Sequence, residues 1–359
     1  SRFNISTISP LTGLLTSSNC GGNFGLSLKK AGYDALIIKN KSESPIWIEI
    51  TEEKVLFHDA KDIWGKKVSI AQSALDSKTG KIVIGPAGEN LVKYASVFSG
   101  ERAAGRGGIG AVMGNKNIKA ITAKGNLRPK IAEPEKTKEF YKKWIKMLKE
   151  HPLTGEQLPT LGTAGLVNQM QEKSILVTKN FKYGQYDDFE KISGERLRKD
   201  FLIRNKGCTT CPIQCGRQVE VDGKVVKGPE LETLGLLGPN LLNNDLELII
   251  RWNLELDELG MDTMSTGGTL AFAMELNEKG LWENNLEFGK TENILGIFED
   301  IAYRRGIGNE LAEGTRYLSE KYGGAEFAIH SKGMELSAYE PRSAVGQGLG
   351  YAVSSIPFE

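Results

Sequence analysis

The sequence lacks the features that mark several large classes of protein. Its 46 Lys and Arg residues balance 45 Asp and Glu residues, which gives a formal net charge of +1 at pH 7. A chain without excess positive charge has no broad attraction for nucleic acid or for an anionic membrane surface. No apolar run approaches the ~18 residues of a membrane span, and the first residues show no signal-peptide pattern. We therefore predict a cytoplasmic protein that binds neither nucleic acid nor membrane.

Histidine is scarce. The chain has three histidines, which stand far apart at His58, His151 and His330. A mononuclear zinc site usually combines Cys-x2-Cys with a second such pair or with His-x3–5-His. Neither second half is present in the sequence, so a conventional structural zinc site is disfavoured.

Cysteine is equally scarce, but three of the four residues fall in one motif, Cys208-Thr-Thr-Cys211-Pro-Ile-Gln-Cys215. Clustering of this kind indicates metal binding rather than disulfides in a chain without a secretion signal. The spacing suits three corners of a [4Fe–4S] cluster with a distant fourth ligand; zinc binding and a structural role are the alternatives. Cys20 could supply the fourth ligand, but a small buried side chain is the simpler interpretation.

The apolar residues predict an α+β fold. Residues 1–124 contain short alternating runs that are typical of strands. We predict strands within 2–9, 33–39, 45–57 (a hairpin), 81–84 and 118–123, and short helices at 24–31 and 68–77. After a linker at 125–136 the pattern becomes helical; we predict an amphipathic helix from residue 135 and further helices at 244–259, 263–279, 294–304 and 309–322. We therefore expect a sheet-rich domain (1–124) followed by a mainly helical domain (125–336).

Glycine is abundant, with 42 residues, and is concentrated in residues 100–114. This segment contains a Gly-x-Gly-x-x-Gly pattern at 105–110, but it lacks the preceding strand and following long helix of a Rossmann fingerprint. A backbone cradle for a phosphate-bearing ligand is the better interpretation, with Arg102 and Arg106 as charge-assisted donors. A glycine-rich turn with two solvated arginines is the alternative. A second glycine loop at 19–22 precedes a predicted helix, whose N–H groups could meet an anion.

Two acidic segments follow the cysteines, Gly228-Pro-Glu-Leu-Glu-Thr233 and Asp257-Glu-Leu-Gly-Met-Asp262. Taken alone, such carboxylates are more often helix caps or solvated surface residues. Glu232, for example, could simply pair with Lys224 or Lys227. The acidic segments gain meaning only in combination with the motifs above.

In combination, these motifs resemble the tungsten-dependent aldehyde:ferredoxin oxidoreductase family. The blocks occur in family order across nearly the whole chain. They are Ser9-Pro-Leu-Thr-Gly13, Asn19-Cys-Gly-Gly22, Arg102-Ala-Ala-Gly-Arg-Gly-Gly108, Gly110-Ala-Val-Met-Gly114, Asn117-Ile-Lys-Ala120, the cysteine motif, the two acidic segments, Gly238-Pro-Asn240, Lys332-Gly-Met-Glu-Leu-Ser-Ala-Tyr-Glu-Pro-Arg342 and residues 346–352.

The resemblance implies a mononuclear tungsten, occasionally molybdenum, held by two pyranopterins whose phosphates share Mg²⁺, with a [4Fe–4S] cluster beside one pterin. Glu232 matches a carboxylate next to the metal, and we expect it to act as general acid/base. We expect Glu230 to be structural, because side chains two apart diverge in a helix. The remaining family positions are pterin contacts at Arg2, Asn19, Gly21, Arg102, Ala103, Gly105, Arg106, Asp257 and Asp262, and cluster ligands at Cys208, Cys211 and Cys215.

The implied reaction is oxidation of a small aldehyde by water to a carboxylic acid, with two electrons passing through the cluster to ferredoxin. One alternative is reduction of an aromatic acyl-CoA, as in relatives that resemble benzoyl-CoA reductase. Another is a non-catalytic remnant that binds cofactor or transfers electrons. We also expect the chain to form a homodimer or to assemble with an iron–sulfur partner subunit.

The chain departs from the family pattern at its ends and in one loop. The family extends beyond both ends, and its fourth cluster cysteine, second acidic motif and metal-proximal histidine lie in a C-terminal domain. Only the start of that third domain, 337–359, is expected here, and it ends in Ser355-Ile-Pro-Phe-Glu359 where the family continues toward Gly and His. We therefore expect a fragment, a chain completed by a second polypeptide, or a truncated relative. Cys20 stands where the family usually has Ser.

Overall fold

The computed structural model describes residues 2–208 and 210–354, and the sequence feature at 355–359 lies outside the described residues. The strands are Phe3–Ile8 (β1), Leu15–Cys20 (β2), Ile46–Ile50 (β3), Val55–Asp59 (β4), Gly80–Ile84 (β5), Val97–Ser99 (β6), Arg102–Ala104 (β7), Ile118–Ala123 (β8), Leu202–Lys206 (β9), Gly216–Val221 (β10), Lys224–Lys227 (β11), His330–Ser331 (β12) and Met334–Glu335 (β13).

The α-helices alternate with these strands and dominate the second half of the chain. They are Phe24–Lys30 (α1), Val68–Ala74 (α2), Pro86–Glu89 (α3), Ile109–Asn115 (α4), Pro134–Glu150 (α5), Leu158–Leu161 (α6), Leu166–Glu172 (α7), Gly194–Asp200 (α8), Leu231–Leu237 (α9), Leu246–Leu259 (α10), Thr263–Glu278 (α11), Ile294–Tyr303 (α12), Ile307–Leu311 (α13), Thr315–Tyr322 (α14) and Val345–Val353 (α15). Strands and helices together confirm the predicted α+β class.

A six-stranded mixed sheet forms the first part of the fold. Its strand order is β4-β3-β8-β5-β6-β7; β3 and β8 run parallel, and the other neighbours run antiparallel. Successive residues of a strand face opposite sides of the sheet. Thus Ile82 and Ile84 pack against α1 and α4, while Val83 packs with Val68 of α2 on the other face. β7 is the terminal strand, so one of its edges is left for other contacts.

Helices α9 to α12 build the core of the second part. Trp252 of α10 is almost fully buried and packs edge-to-face on Phe298 of α12, with ring centroids 5.7 Å apart. Gly260 ends α10 with a φ of 83°, a left-handed conformation that glycine adopts without strain. This sharp end lets the chain turn directly into α11, whose N-cap is Asp262.

The two parts meet along a short backbone seam. Ser96 N donates to Gly260 O at 2.8 Å, and Asp262 N donates to Tyr94 O at 3.1 Å. Ala95 and Met261 form an isolated β-bridge between these bonds. The seam fixes the start of α11 against the segment that leads into β6 and β7.

Several local predictions differ from the structure. The strand predicted at 33–39 was wrong: these residues form no strand, and Ile37 is 80% exposed. The apolar run was misleading because no neighbouring strand pairs with it among the described residues. The helix predicted at 309–322 is interrupted at Gly314, whose φ is 86°. A three-stranded sheet, in the order β11-β10-β9, was not anticipated within the helical part.

Helix α5 confirms the predicted amphipathic helix but does not bury its apolar face. Phe140, Trp144 and Met147 are about half exposed or more, at 66%, 48% and 52%. The rest of the described chain therefore leaves this face open. None of the helices in the described residues combines the length and apolar character that crossing a bilayer requires.

Candidate active site

A cavity of about 300 Å³ lies where β7 meets α9, α10 and α11. Five carboxylate and four cationic side chains line it, a high density of charge for a small partly enclosed volume. The sequence-predicted residues that line it are Arg2, Asn19, Gly21, Arg102, Ala103, Gly105, Arg106, Glu232, Asp257 and Asp262. The structure thus brings all the predicted pterin contacts and the predicted acid/base to one place.

The sheet contributes one wall of this cavity. β7 supplies Arg102 and Ala103, and the end of β2 supplies Asn19, whose carbonyl accepts from Arg2 Nη2 at 3.4 Å. Gly21 is tightly enclosed: a Cβ built there would lie 3.0 Å from Cys208 Sγ and 3.2 Å from Arg102 Cγ. A larger residue at position 21 would displace one of these two side chains.

The pair of Arg106 and Asp262 joins the two walls. Arg106 Nη1 lies 3.5 Å from Asp262 Oδ2, and both side chains are about 95% buried. Arg106 Nη2 also donates to the carbonyl of Glu335. Asp262 caps α11 as well, because its Oδ1 accepts from Met264 N at 3.0 Å. Burial raises the pKa of Asp262, and the charge of Arg106 opposes that rise.

A second ion pair lies on the helical wall of the cavity, and the sequence analysis did not predict it. Lys227 Nζ donates to Asp257 Oδ2 at 3.0 Å. The side chains are 22% and 18% exposed. Asn253 Nδ2 donates to the carbonyl of Lys227 at 3.3 Å and so ties the end of β11 to α10. Burial raises the pKa of Asp257, and Lys227 works against that rise. The contact joins distant segments, so spacing gave no signal for it.

Glu230 and Glu232 both line the cavity, but their carboxylates have different partners. Glu230 precedes α9 with an extended backbone (φ −89°, ψ 170°), and helical spacing does not apply to it. Its Oε1 lies 2.9 Å from Arg102 Nη1. Glu232, in the first turn of α9, accepts at Oε2 from Ala338 N at 2.6 Å.

The three motif cysteines occupy the loop between β9 and β10. They are free thiols of intermediate burial, and Cys211 N donates to Cys208 O at 3.0 Å. Cys208 lines a second cavity, of about 540 Å³, which shares Glu101 and Arg102 with the first. Across residues 2–208 and 210–354, no three His, Cys, Asp or Glu side chains are grouped closely enough to hold a single metal ion. The cluster assignment therefore stays a prediction.

Arg102 lies between the cavity and the cysteines. Besides its bond to Glu230, its Nη2 would be 2.8 Å from a Cβ built on Gly216, the residue after Cys215. Burial alone would lower the pKa of Arg102, but the charges of Glu230, Cys208 and Cys215 outweigh burial and raise it. The guanidinium group thus remains charged beside Glu230 and beside the motif cysteines.

Cys20 has a different environment from the motif cysteines. It is fully buried, and burial raises its pKa to about 12. A thiol with so high a pKa is a poor metal ligand at neutral pH, because metals bind the thiolate. The environment is that of the small buried side chain favoured from sequence.

A larger cavity, of about 730 Å³, lies between residues 182–188 and 340–343. None of the sequence-predicted site residues lines it. Size alone would favour it, but all ten sequence-predicted pterin and acid/base residues line the smaller cavity, where burial raises the pKa of Asp257 and Asp262, and carboxylates of this kind mark functional sites. We therefore take the smaller, highly charged cavity as the candidate active site.

Comparison with known families gives two matches along the sequence. Residues 1–125 match the sequence profile of the aldehyde ferredoxin oxidoreductase N-terminal domain, and residues 139–358 match that of aldehyde ferredoxin oxidoreductase domains 2 and 3. The chain belongs to the aldehyde ferredoxin oxidoreductase family. The resemblance inferred from the motifs is thereby confirmed.

Curated relatives of this family are similar along nearly the whole chain. The tungsten-containing aldehyde ferredoxin oxidoreductases of Pyrococcus furiosus and Thermococcus kodakarensis are 46% and 45% identical over 99% of the chain. The aliphatic sulfonate oxidoreductase WOR-like subunit of Pyrococcus furiosus is 30% identical over 98% of it. The chain spans about three fifths (61–62%) of the length of these relatives.

A solved structure shares the fold. The active-site complex BamBC of benzoyl coenzyme A reductase, with bound 1,5-dienoyl-CoA, superposes with a TM-score of 0.81 at 29% identity. The match covers 94% of this chain and 55% of that one. The sheet and the helical part therefore share their arrangement with that complex.

The cavity fits the donor and acceptor pattern of a phosphate-bearing pterin. Guanidinium groups suit phosphate oxygens, and carboxylates suit the N–H groups of an aminopyrimidinone. Gly105 leaves room for such a ligand, because the nearest atoms to a Cβ built there are Asp262 Oδ1 at 3.9 Å and Ser96 Oγ at 4.0 Å. The residues present thus match the group that the family implies.

Proposed function

We propose that this protein binds a tungsten or molybdenum bispyranopterin in the cavity and oxidises an aldehyde to a carboxylic acid. The observation that supports this most strongly is the convergence of the ten family positions on one charged cavity. Membership of the family and 46% identity to a tungsten-containing aldehyde ferredoxin oxidoreductase support the same activity. Ferredoxin is the proposed electron acceptor.

Within this proposal the chain holds the cofactor from both walls. Arg102, Arg106 and Arg2 would contact the phosphates, which in this family share Mg²⁺. Asp257 and Asp262 would accept from pterin N–H groups. When bound, the metal centre would supply Lewis acidity and two-electron acceptance.

Glu232 would act as the general acid/base of the reaction. In balance, RCHO and H₂O give RCOOH, two protons and two electrons. The carboxylate of Glu232 would take one of these protons, and the backbone N–H of Ala338 holds one of its oxygens in a fixed orientation. A positioned acid/base of this kind typically contributes about 10²–10⁴-fold in rate.

The three cysteines would hold a [4Fe–4S] cluster beside the cavity, with a fourth ligand from another segment or subunit. Cys208 lies next to Gly21 and Arg102, both of which line the cavity. A cluster at this position would be adjacent to a bound pterin. Electrons would leave the site on this side.

A second candidate function is reduction of an aromatic acyl-CoA. The TM-score of 0.81 to the benzoyl coenzyme A reductase active-site complex favours keeping it. The sequence identity to that structure is lower, 29% against 46% for the aldehyde enzyme. Aldehyde oxidation is therefore the first proposal.

The decisive experiment uses the complete protein purified anaerobically from tungstate-supplied cells. Tungsten, iron, acid-labile sulfide and released pterin are quantified, and reduction of a viologen dye is followed with aldehydes. The proposal expects metal, pterin and aldehyde-dependent dye reduction. Turnover with an aromatic acyl-CoA and a reductant, without aldehyde oxidation, would favour the second candidate. Protein free of tungsten, molybdenum and pterin would overturn both.

A further inference from the structure

We infer that Lys227 is a positioning residue for the cofactor: its ammonium group keeps the Asp257 carboxylate ionised at the cavity wall, ready to accept pterin N–H groups. From the sequence, Lys227 was only a possible partner of Glu232, and the structure pairs it with Asp257 instead. The inference rests on the proposed function, since it requires a pterin in the cavity.

The geometry places Lys227 where it acts on Asp257 directly. The two residues share a hydrogen-bonded ion pair of 3.0 Å, and both line the cavity. Lys227 is the last residue of β11, and its carbonyl accepts from Asn253 Nδ2 at 3.3 Å. Because Asn253 and Asp257 lie one turn apart on α10, the same helix fixes both the main chain and the side chain of the lysine.

The other charged groups around Asp257 do not replace the lysine. After Lys227, the charges with the largest effect on the pKa of Asp257 are those of Glu230 and Glu258, and both acids raise it. Arg102 opposes protonation of Lys227 and is itself paired with Glu230 at 2.9 Å. Lys227 thus supplies the positive charge that opposes the effect of burial on the pKa of Asp257.

The direction in which removal of that charge shifts the pKa of Asp257 can be predicted. Without Lys227, burial and the neighbouring acids raise the pKa of Asp257 further, so the carboxyl group becomes protonated at higher pH. A protonated carboxyl group has lost acceptor capacity. Pterin retention in such a variant should therefore fail at low pH and recover at high pH. An opposite charge of this kind typically shifts a carboxyl pKa by about 1–3 units.

The test measures pterin retained by the complete protein after dialysis over a range of pH. Lys227→Met should move the pH of half-retention upward by about 1–3 units relative to wild type. Lys227→Arg, which keeps the charge, should restore most of the wild-type profile. Lys224→Met is the matched control, since Lys224 lies on the same strand but is exposed. Its profile should equal that of wild type.

The outcomes separate the inference from the proposed function. Wild type without pterin at any pH refutes the proposed function and the inference with it. Wild type with pterin and a Lys227→Met profile that superimposes on it refutes the inference alone. So does a loss of pterin by the same factor at every pH, which indicates a purely structural role. If Lys227→Met does not fold, Lys227→Gln repeats the test with a neutral donor.

Discussion

Arg106 and Asp262 face each other at 3.5 Å although they come from opposite halves of the chain. Arg106 follows the terminal strand of the sheet, and Asp262 caps helix α11 of the helical part. Each is nearly buried, so neither charge is tolerable without the other or a ligand. The contact therefore defines where the two parts of the fold meet around the candidate site.

The first prediction concerns Arg106. Arg106→Lys should reduce pterin content, because lysine lacks the planar fork that binds carboxylate and phosphate together. The lost charge-assisted bond is worth about 1.5–3 kcal/mol, roughly 10- to 150-fold in affinity. Pterin released from purified protein measures the effect. Arg196→Lys is the control, since Arg196 is exposed and pairs with Asp200 within one helix. Equal pterin in both variants would refute the assignment.

The second prediction concerns the cysteines. Cys208→Ser, Cys211→Ser and Cys215→Ser should each lower bound iron and acid-labile sulfide, because a cluster needs thiolate ligands. Cys20→Ser should retain both, because Cys20 is buried and its pKa is raised by burial to about 12. Iron and sulfide assays under anaerobic conditions decide the matter. Stoichiometric zinc without iron in the wild type would exclude the cluster.

The third prediction compares the two glutamates of the cavity. Glu232→Gln should keep tungsten and iron near wild-type levels while aldehyde oxidation falls by about 10²-fold or more. Glu230→Gln should act through Arg102, its partner at 2.9 Å, and lower pterin content rather than turnover per tungsten. Turnover per tungsten atom is the measured quantity. Full turnover in Glu232→Gln would refute the acid/base role of Glu232. Loss of tungsten in this variant would indicate that Glu232 has a structural role instead.

The fourth prediction concerns a buried ion pair whose residues do not line the cavity. Lys119 and Glu89 are 0% and 4% exposed and bond to each other. Lys119→Met should lower the free energy of unfolding by about 3–5 kcal/mol, because it leaves an uncompensated buried carboxylate. Lys124 and its partner Asp76 are both exposed, so Lys124→Met should change the free energy of unfolding by less than about 1 kcal/mol. Denaturant titration gives both values, and similar effects would contradict this account.

The sequence identified the residues of the candidate site more completely than the strands and helices of the fold. Arg102, Arg106 and Asp262 were recognisable because each belongs to a short motif. The partners of Arg106 and Asp257 were not recognisable, because the carbonyl of Glu335 and the ammonium group of Lys227 meet them only through contacts between distant segments. Ion pairing across a fold leaves no spacing in the sequence that could reveal it.

Errors in the fold came from local patterns judged without their neighbours. The apolar run at 33–39 suits a strand, but in the structure no strand pairs with it within the described residues. Helix α5 was predicted correctly, yet its apolar face, including Phe140, is exposed. Periodicity identifies an element and its apolar side; burial depends on what packs against that side.

The central claim is that tungsten or molybdenum is bound in the cavity between β7 and α9 to α11. Anomalous diffraction from crystals of protein purified from tungstate-supplied cells, measured on both sides of the tungsten absorption edge, locates the metal directly. The account predicts one strong peak inside this cavity, between Arg106 and Glu232. A peak in the larger cavity near Arg342, or no tungsten or molybdenum peak in active protein, would contradict it.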